Sequence, residues 1–356
     1  MAETSVTDDP SESRRQKAEK LLRLYHQRVS DLALISARPI ILYLSIDIDI
    51  AGFTRCYKFL FDSLAERNVY ILCPTYWYFE KQKHIEKLRR SVEEYKTLYP
   101  KLSLFFLSNT TNQHDLFARQ GLNSIYCNHN CLVDEKLFYP IPETKKVYDA
   151  VYDARFDEWK RHSLALSIKS LGLIYHKAPF LEDSSYVEKT KKDLSFAKFF
   201  NRGESGQYKI LSSSEVNRAL NQSRVGLCLS AEEGAMFASI QYLLAGLPVV
   251  TTQSVGGRHV FFDDEVSITV DATPEAVSRG VKDMIDRNLS PEFIRGRTIG
   301  RISTHRDEFI KLGEEIYKRE NCDRQFKVDF EKLFTNKLVK RVNHQSIVEF
   351  LLSQRK

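Results

Sequence analysis

The chain has 356 residues, of which 42% are hydrophobic and 12% aromatic, so it encodes a globular protein and not a disordered one. This length exceeds what a single small core needs and suits two domains of ordinary size. The net charge of +6 fits an anionic substrate or an acidic membrane surface, but is too weak to indicate nucleic acid by itself.

The cysteines and the amino-terminal segment bear on location. Six unevenly spaced cysteines do not form the pattern of a disulfide framework, so a reducing cytoplasm is the simpler setting. Residues 1–12 are polar and acidic, without the apolar core of a signal peptide. The longest apolar run nearby, residues 40–46, is too short to span a bilayer. We expect a cytoplasmic protein, with peripheral association at the inner membrane left open.

The first half of the chain predicts a leader, a helix and an α/β pattern. Residues 1–12 are expected to be disordered, and residues 13–36 to form a helix with one apolar face. That helix packs on the first domain or, as the alternative, lies on a membrane surface. A continuous apolar run predicts a buried parallel strand at residues 39–46. The later predicted segments are helix 53–67, strand 69–73, helix 83–98, strand 102–107, helix 113–120 and strand 124–128.

The second half repeats this alternation after a linker at Pro140 and Pro142. Regular alternation of strands and helices predicts mostly parallel sheets. The predicted segments are strand 147–152, helix 160–171, strand 173–176, helix 213–222, strand 224–229, helix 234–246, a strand from residue 248, strand 266–270 and helix 274–286. Residues 291–356 are charged and helical in pattern.

The segment from Ser230 to Val250 is the most informative part of the sequence. A strand runs into a polar turn with Gly234, and a helix then leads to a second strand. Such a turn directs backbone N–H groups and the positive end of the helix dipole to one point, which suits a phosphate. Glu233 lies directly before the predicted N-terminus of this helix. Gln241 follows eight residues later, about 12 Å along the axis and near the same face.

This segment resembles the donor site of the group-one (family four) retaining glycosyltransferases, which have the GT-B fold. Their pattern is S-x-x-E-G, a second Glu eight residues after the first, and then A-x-G-x-P-V-V. The matching residues are Ser230, Glu233, Gly234, Ala245, Gly246, Pro248, Val249 and Val250. The family has Glu where this chain has Gln241. The resemblance implies that the first Glu contacts the donor sugar. It also implies that Gln241 and Ser230 bind the nucleotide and its ribose. An amide can still accept from one hydroxyl and donate to another.

A second match lies just after the first strand of the second half. The family pattern G-R-L-x-x-x-K-G has Arg and Lys five residues apart, as Arg155 and Lys160 are, although Ala154 and Arg161 replace the two glycines. The resemblance implies that these cations hold the donor phosphates, together with the turn at Gly234, Ala235 and Met236. Fixed cations stabilise the negative charge of a departing phosphate. The alternative for Arg155 is a surface ion pair with Asp157 or Glu158.

The candidate catalytic residues are Glu233, its neighbour Glu232, and His129. A carboxylate on the donor side can stabilise an oxocarbenium-like transition state or act as a nucleophile, and it can also simply cap a helix. His129 follows a strand of the first domain and should lie at the edge where α/β sites form. A sugar-facing or acceptor-facing role and a plain hydrogen bond are both open. Cys127 and Cys131 flank it without a second ligand pair at zinc spacing, so we expect no metal.

Two further groups complete the predicted site. The loop after the first strand offers Asp47, Asp49, Gly52 and Arg55 to an acceptor, or is only a connection between elements. Arg258 and His259 follow the second strand of the donor motif, where cations would suit a sugar acid. With Gln241, they leave the retaining β-Kdo transferases (family ninety-nine), whose donor is CMP-linked, as a possible closer relative.

The sequence thus predicts an α/β protein of the GT-B class, with two Rossmann-like doubly wound parallel-sheet domains facing a cleft. The predicted parts are 1–36 leader and helix, 37–144 acceptor domain, 145–310 nucleotide-sugar donor domain, and 311–356 helices crossing back on the first domain. The predicted activity is metal-independent, cofactor-free and retaining transfer of a sugar to a glycan or lipid-linked acceptor, by family habit in bacterial surface polysaccharide synthesis. The alternatives are a nucleotide-sugar epimerase and a non-catalytic binding protein.

Overall fold

The computed structural model describes residues 32–45, 57–177, 183–333, 336–338 and 344–353. Each half of the chain forms its own sheet. The strands of the first sheet are β1 Leu32–Ala37, β2 Ile40–Leu44, β3 Val69–Pro74, β4 Leu102–Ser108 and β5 Ser124–Tyr126. They lie side by side in chain order, β1 antiparallel to β2 and the other pairs parallel. The strands predicted at 39–46, 69–73, 102–107 and 124–128 are confirmed.

The helices of the first half are α1 Lys58–Leu64, α2 Gln82–Leu98 and α3 Thr111–Arg119. Helix α2 buries Ile85, Leu88, Val92 and Tyr95, spaced three or four residues apart, so one stripe faces the sheet. Helix α3 begins where the Thr110 hydroxyl accepts the N–H of Gln113. The helices predicted at 53–67, 83–98 and 113–120 therefore form, with residues 53–56 outside the described part.

Residues 32–36 correct one prediction, because they belong to strand β1 and not to a helix. The strand pairs along β2 from Leu32 opposite Leu44 to Ala37 opposite Ile40. Leu32, Ala33 and Ile35 are buried. Pairing with β2 satisfies the backbone of this apolar run and covers the edge of the sheet, which outweighs its helical periodicity. The rest of the predicted leader and helix, residues 1–31, lies outside the described residues.

The strand order of the second sheet indicates where a ligand site would lie. Its strands are β6 Tyr148–Asp153, β7 Leu171–Ile174, β8 Lys198–Phe199, β9 Ser223–Cys228, β10 Val249–Thr252 and β11 Ser267–Val270. All pairs are parallel, in the order β11-β10-β9-β6-β7-β8. The order reverses between the neighbours β6 and β9, so the sheet is doubly wound. Ligands of such sheets bind in the crevice beyond the carboxyl ends of the strands at this reversal.

The helices of the second half are α4 Ser184–Asp193, α5 Ser213–Asn221, α6 Phe237–Leu244 and α7 Pro274–Asp286. Helix α5 begins with a capping box between Ser212 and Glu215. The helix predicted at 160–171 is wrong. Two 3-10 turns, Glu158–Lys160 and His162–Ala165, replace it, with Arg161 between them at φ 52°. The guanidinium of Arg161 donates to the Leu229 carbonyl at 2.5 Å and to the Thr252 hydroxyl at 2.7 Å, so contacts with the site loops override helix formation.

The carboxyl-terminal helices join the two halves. They are α8 Pro291–Arg319, α9 Phe326–Leu333 and α10 His344–Ser353. From α8, Arg306 pairs with Glu135 at 2.6 Å. From α10, Ile347, Val348 and Leu351 are buried in the core of the first half. The helices thus cross back as predicted. None of the helices in the described ranges is long and apolar enough to cross a membrane.

Candidate functional site

A cleft of about 420 Å³ opens between the two halves, at the carboxyl ends of β6 and β9. It contains most of the residues predicted to form a donor site, although they come from distant parts of the sequence. The predicted residues that line it are His129, Arg155, Lys160, Glu233, Ala235, Met236 and Gln241.

Glu233 is the centre of the charge arrangement. Its carboxylate accepts a hydrogen bond from the Ser230 hydroxyl at 2.5 Å and forms an ion pair with the Lys160 ammonium. Its backbone N–H donates to the Val255 carbonyl at 3.1 Å, which fixes the loop after β9. The side chain is 11% exposed. A carboxylate held from two sides has a defined position before any ligand binds.

Arg155 also has a carboxylate partner, since its guanidinium lies 2.7 Å from the buried Asp157 carboxylate. The same guanidinium lies 5.8 Å from the centre of the Trp159 ring. The ion pair considered as an alternative therefore exists, and Arg155 still lines the cleft. Both predicted phosphate-binding cations are already held by acids, so they are oriented but partly neutralised.

The helix beside the cleft begins later than predicted. Helix α6 starts at Phe237, after Met236 at φ 51°, and not at Gly234. Gly234 is in contact with the first domain: a Cβ there would lie 2.4 Å from the Tyr76 carbonyl oxygen. Its carbonyl also accepts the Gly257 N–H at 2.7 Å. These contacts keep Gly234 in the loop and move the free N–H groups of the helix start to Phe237.

The first domain holds this turn in place through Asn130. The Asn130 amide donates to the carbonyl of Ala235 at 2.5 Å and to that of Met236 at 3.0 Å. Because the carbonyl and N–H of a peptide unit point in opposite directions, the following N–H groups are directed away from Asn130. The sequence analysis missed Asn130, since nothing in its local pattern indicates a contact with residue 235.

His129 lies in the wall of the first domain. It is 3% exposed, and its ring meets the Tyr76 ring edge-on with centroids 4.9 Å apart. Burial, with the nearby Lys337 ammonium, holds the pKa of His129 well below its usual range, so the imidazole is neutral. Its Nδ1 has no hydrogen-bond partner among the described residues.

Gln241 lies on α6, is 5% exposed and lines the cleft. It shares the cleft with Glu233, as the spacing of eight residues predicts. A role with the ribose remains a prediction. Ser230 is fully buried and does not line the cleft; it acts on the site through its hydrogen bond to Glu233.

Five residues of the predicted donor site do not line the cleft: Ser230 and Gly234, described above, and Glu232, Arg258 and His259. Glu232 pairs with Lys81 of the first domain at 3.1 Å, and its side chain is 43% exposed. Arg258 is fully buried and donates to the carbonyls of Ser230 at 2.8 Å and Thr252 at 2.6 Å. His259 lies against Phe262. Arg258 therefore supports the backbone behind Glu233 and does not offer a cation to the donor sugar.

The predicted acceptor residues Asp47, Asp49, Gly52 and Arg55 lie outside the described residues. The described residues contain no group of three or more His, Cys, Asp or Glu side chains that could hold a metal ion. Cys127 and Cys131 are buried with their sulfur atoms 3.7 Å apart. The hydrogen bond between them, together with burial, raises the pKa of the Cys127 thiol.

The sequence analysis also missed cleft residues from three other places: Tyr76 after β3, Asp153 at the end of β6 with His176 after β7, and Asn336 and Lys337 between α9 and α10. The strand ends could have indicated the first three, because side chains that follow parallel strands gather at one edge. Nothing in the local pattern of residues 336–337 indicates a site, since they reach it only through the return of the chain.

Known structures resemble this architecture. Anabaena HepE, solved with UDP-glucose, matches with a TM-score of 0.53 at 12% identity, over 85% of this chain and 81% of HepE. HepE solved with UDP gives 0.54 at the same identity. The pneumococcal O-GlcNAc transferase GtfA gives 0.50 at 12% identity, over 87% of this chain and 57% of its own. These neighbours are GT-B proteins. The chain has the GT-B fold.

The predicted likeness to group-one glycosyltransferases is thus confirmed for the GT-B architecture. No protein-family model matches the sequence, and no curated protein matches it at a significant level. In GT-B terms, the cleft described above lies between the two Rossmann-like domains, with the doubly wound sheet on the side of Glu233.

Proposed function

We propose that this chain is a glycosyltransferase that moves a sugar from a nucleotide-sugar donor to a glycan or lipid-linked acceptor. One observation carries the proposal: the cleft at the reversal of the second sheet brings Arg155, Lys160, Glu233 and Gln241 together at the start of α6. The chemistry of donor cleavage needs a cationic site for phosphates and a carboxylate near the sugar, and the two occur side by side here.

The departing nucleotide is the main electrostatic demand of this reaction. When the bond between the sugar and the phosphate breaks, negative charge grows on the leaving oxygen. Arg155, Lys160 and the free N–H groups at Phe237 would stabilise that charge. Because these groups are positioned in advance, little rearrangement is needed during the reaction. We therefore propose transfer without a metal ion.

Glu233 is proposed to face the donor sugar. Its carboxylate would stabilise positive charge at the anomeric carbon, or would act as a nucleophile; both are compatible with retention of configuration, which the family resemblance implies. Ser230 and Lys160 hold the carboxylate in place. His129 lies on the opposite wall as a neutral imidazole, where it can exchange hydrogen bonds with sugar hydroxyls.

UDP is the proposed nucleotide, because HepE was solved with UDP and UDP-glucose, and GtfA with UDP. The argument for a CMP-linked sugar acid depended on Arg258 and His259 together with Gln241, and the two cations do not line the cleft. CMP is therefore a competitor in the binding assay and not a second proposal. A cytoplasmic site of action, at or near the inner membrane, and a product in bacterial surface polysaccharide complete the proposal.

Calorimetric titration with UDP, GDP, ADP and CMP tests the donor site. We expect one of these nucleotides to bind, and Arg155→Ala and Lys160→Ala each to weaken it about tenfold or more, since a charged hydrogen bond is lost. Arg89→Ala is the matched control, because Arg89 also pairs with a carboxylate, Glu93, but lies on α2 away from the cleft. Absence of binding by all four nucleotides would contradict the proposal.

The bound nucleotide then identifies the activity. Incubation with the matching nucleotide sugars should release free nucleotide when an acceptor is present. Conversion of one nucleotide sugar into its isomer without acceptor would indicate an epimerase instead. Binding without hydrolysis, transfer or isomerisation would indicate a non-catalytic binding protein.

A further inference from the structure

Lys337 enters the cleft from the far end of the chain. It lies between α9 and α10, where the chain returns to the first domain. Its backbone N–H donates to the Leu132 carbonyl at 2.5 Å, and the next residue, Leu338, is 2% exposed in the main core. These two contacts attach the segment beside His129. The side chain of Lys337 therefore has a fixed starting point when it reaches into the cleft.

The surroundings of the Lys337 ammonium differ from those of the other cations. Its Nζ lies 3.2 Å from the centre of the Phe237 ring and 5.8 Å from that of Tyr76. Phe237 is the first residue of α6, so the ammonium contacts a side chain that belongs to the first turn of this helix. Arg155 and Lys160 pair with Asp157 and Glu233, whereas no carboxylate of the described residues forms an ion pair with Lys337.

Other groups nearby also lack partners. Among the described residues, no hydrogen bond reaches His129 Nδ1 or the side-chain oxygen of Asn336, and both residues line the cleft. Buried polar atoms are nearly always satisfied in folded proteins, so two unsatisfied atoms on residues that line the same cavity favour a polar ligand there. The backbone agrees with this interpretation: residues 336, 337 and 338 have φ of 26°, 64° and 56°. Strained left-handed residues persist where a site requires them.

We propose that Lys337 is a third phosphate-binding cation, which holds the diphosphate of the donor against the start of α6. This inference rests on the proposed function and adds a residue that the donor motif does not contain. The helix start attracts negative charge, and Lys337 is a cation of the cleft lining that forms no ion pair with a carboxylate of the described residues. A bound phosphate would provide the Lys337 ammonium with hydrogen-bond acceptors in place of the water molecules that burial removes. The carboxyl-terminal segment thereby completes a site that the second domain alone leaves open on one side.

The test compares Lys337→Met with Lys332→Met, an exposed lysine five residues earlier on α9 that does not line the cleft. Calorimetry measures the binding of UDP, inorganic pyrophosphate and uridine to both variants and to the wild-type chain. We expect Lys337→Met to weaken UDP and pyrophosphate about tenfold and to leave uridine unchanged, because only phosphate contacts the ammonium. Lys332→Met should bind all three like the wild type. Lys337→Arg should retain most of the affinity for UDP.

The outcomes separate this inference from the proposed function. If Lys337→Met binds UDP and pyrophosphate like the wild type while Arg155→Ala does not, the role of Lys337 is wrong and the donor site stands. Equal weakening of uridine and UDP in Lys337→Met would show a structural role and would also overturn the inference. If the wild-type chain binds none of UDP, GDP, ADP, CMP and pyrophosphate, both proposals fail.

Discussion

The two walls of the cleft differ in their chemistry. The wall of the second domain carries acids and bases that pair with each other, including Glu233 with Lys160 and Arg155 with Asp157. The opposite wall carries the Tyr76 ring, the neutral His129 and a single cation among its described residues, Lys337. A paired wall has fixed geometry, and an apolar opposite wall strengthens electrostatic forces by excluding water. For the proposed donor, this difference means that both walls would contribute to balancing the charge of the diphosphate.

The largest expected effect is a loss of activity that distinguishes Glu233 from its neighbour Glu232 in the second domain. Glu233→Gln should lower the rate of sugar transfer by about a hundredfold to a thousandfold, because an uncharged amide no longer stabilises positive charge at the sugar. UDP affinity should change little. Rates at saturating donor and calorimetric titration measure the two effects.

Glu232→Gln is the matched control for that prediction. Its carboxylate pairs with Lys81 and does not line the cleft, so the rate should stay within about threefold of the wild type, as expected for the loss of an exposed ion pair. If the two variants lost activity equally, the assignment of the two acids to different roles would be wrong.

The second prediction tests how closely the walls approach. Gly234→Ala would place a methyl group 2.4 Å from the Tyr76 carbonyl oxygen, and neither backbone can move freely. We expect a loss of stability of about 1–3 kcal/mol, as for an overpacked core, and weaker UDP binding. Thermal unfolding followed by circular dichroism gives the change in stability.

Gly296→Ala serves as the comparison, since a Cβ at that position in α8 would have no atom within 4 Å. This variant should be more stable than the wild type by about 0.5–1 kcal/mol, because Ala favours a helix interior over Gly. Wild-type stability of Gly234→Ala would mean that the walls are not in contact at this point.

The smallest expected effect is a pH dependence of UDP affinity, which we assign to Lys337. Burial holds the pKa of Lys337 well below its usual range, and the attraction of Glu233 offsets this only in part. A bound phosphate raises the pKa again, so binding takes up a proton and UDP affinity falls as pH rises. The other titratable or charged residues in the cleft are Tyr76, His129, Asp153, Arg155, Lys160, His176 and Glu233.

Calorimetry from about pH 7 to about pH 9 avoids ionisation of the terminal phosphate, whose pKa is near 6. We expect UDP affinity to fall by less than about tenfold over this range, since one pKa unit of difference gives a tenfold change. Lys337→Met should show a flat profile. A wild-type slope that persists in this variant would assign the proton to another group.

The wall of the second domain could be predicted because its information is local. Gly234, Glu233 and Gln241 lie within one strand–turn–helix unit, so spacing and turn chemistry indicate a common site. The limits of that approach appear at Arg258, whose position beside the motif suggested a sugar contact, while its buried guanidinium supports the backbone at Ser230. Local spacing does not give the direction of a side chain.

Most residues of the wall that faces the second domain could not be predicted from the sequence, for a physical reason. Asn130 and Lys337 reach the turn before α6 only after two domains and a returning segment have packed together. Strand β1 was missed for a similar reason, because its pairing with β2 outweighed the local pattern that predicted a helix. Most strands and helices could be predicted, since buried runs and caps act within a few residues.

The return of α10 also has a consequence for synthesis on the ribosome. Ile347, Val348 and Leu351 complete the core of the first domain, and the Arg67 guanidinium donates to the Leu351 carbonyl at 2.9 Å. A chain emerging from the ribosome presents the strands of the first sheet early, but these residues follow only after the whole second sheet. We therefore expect the first domain to stay incomplete until α10 has left the ribosome. The half of the molecule made first would be among the last to reach its native packing.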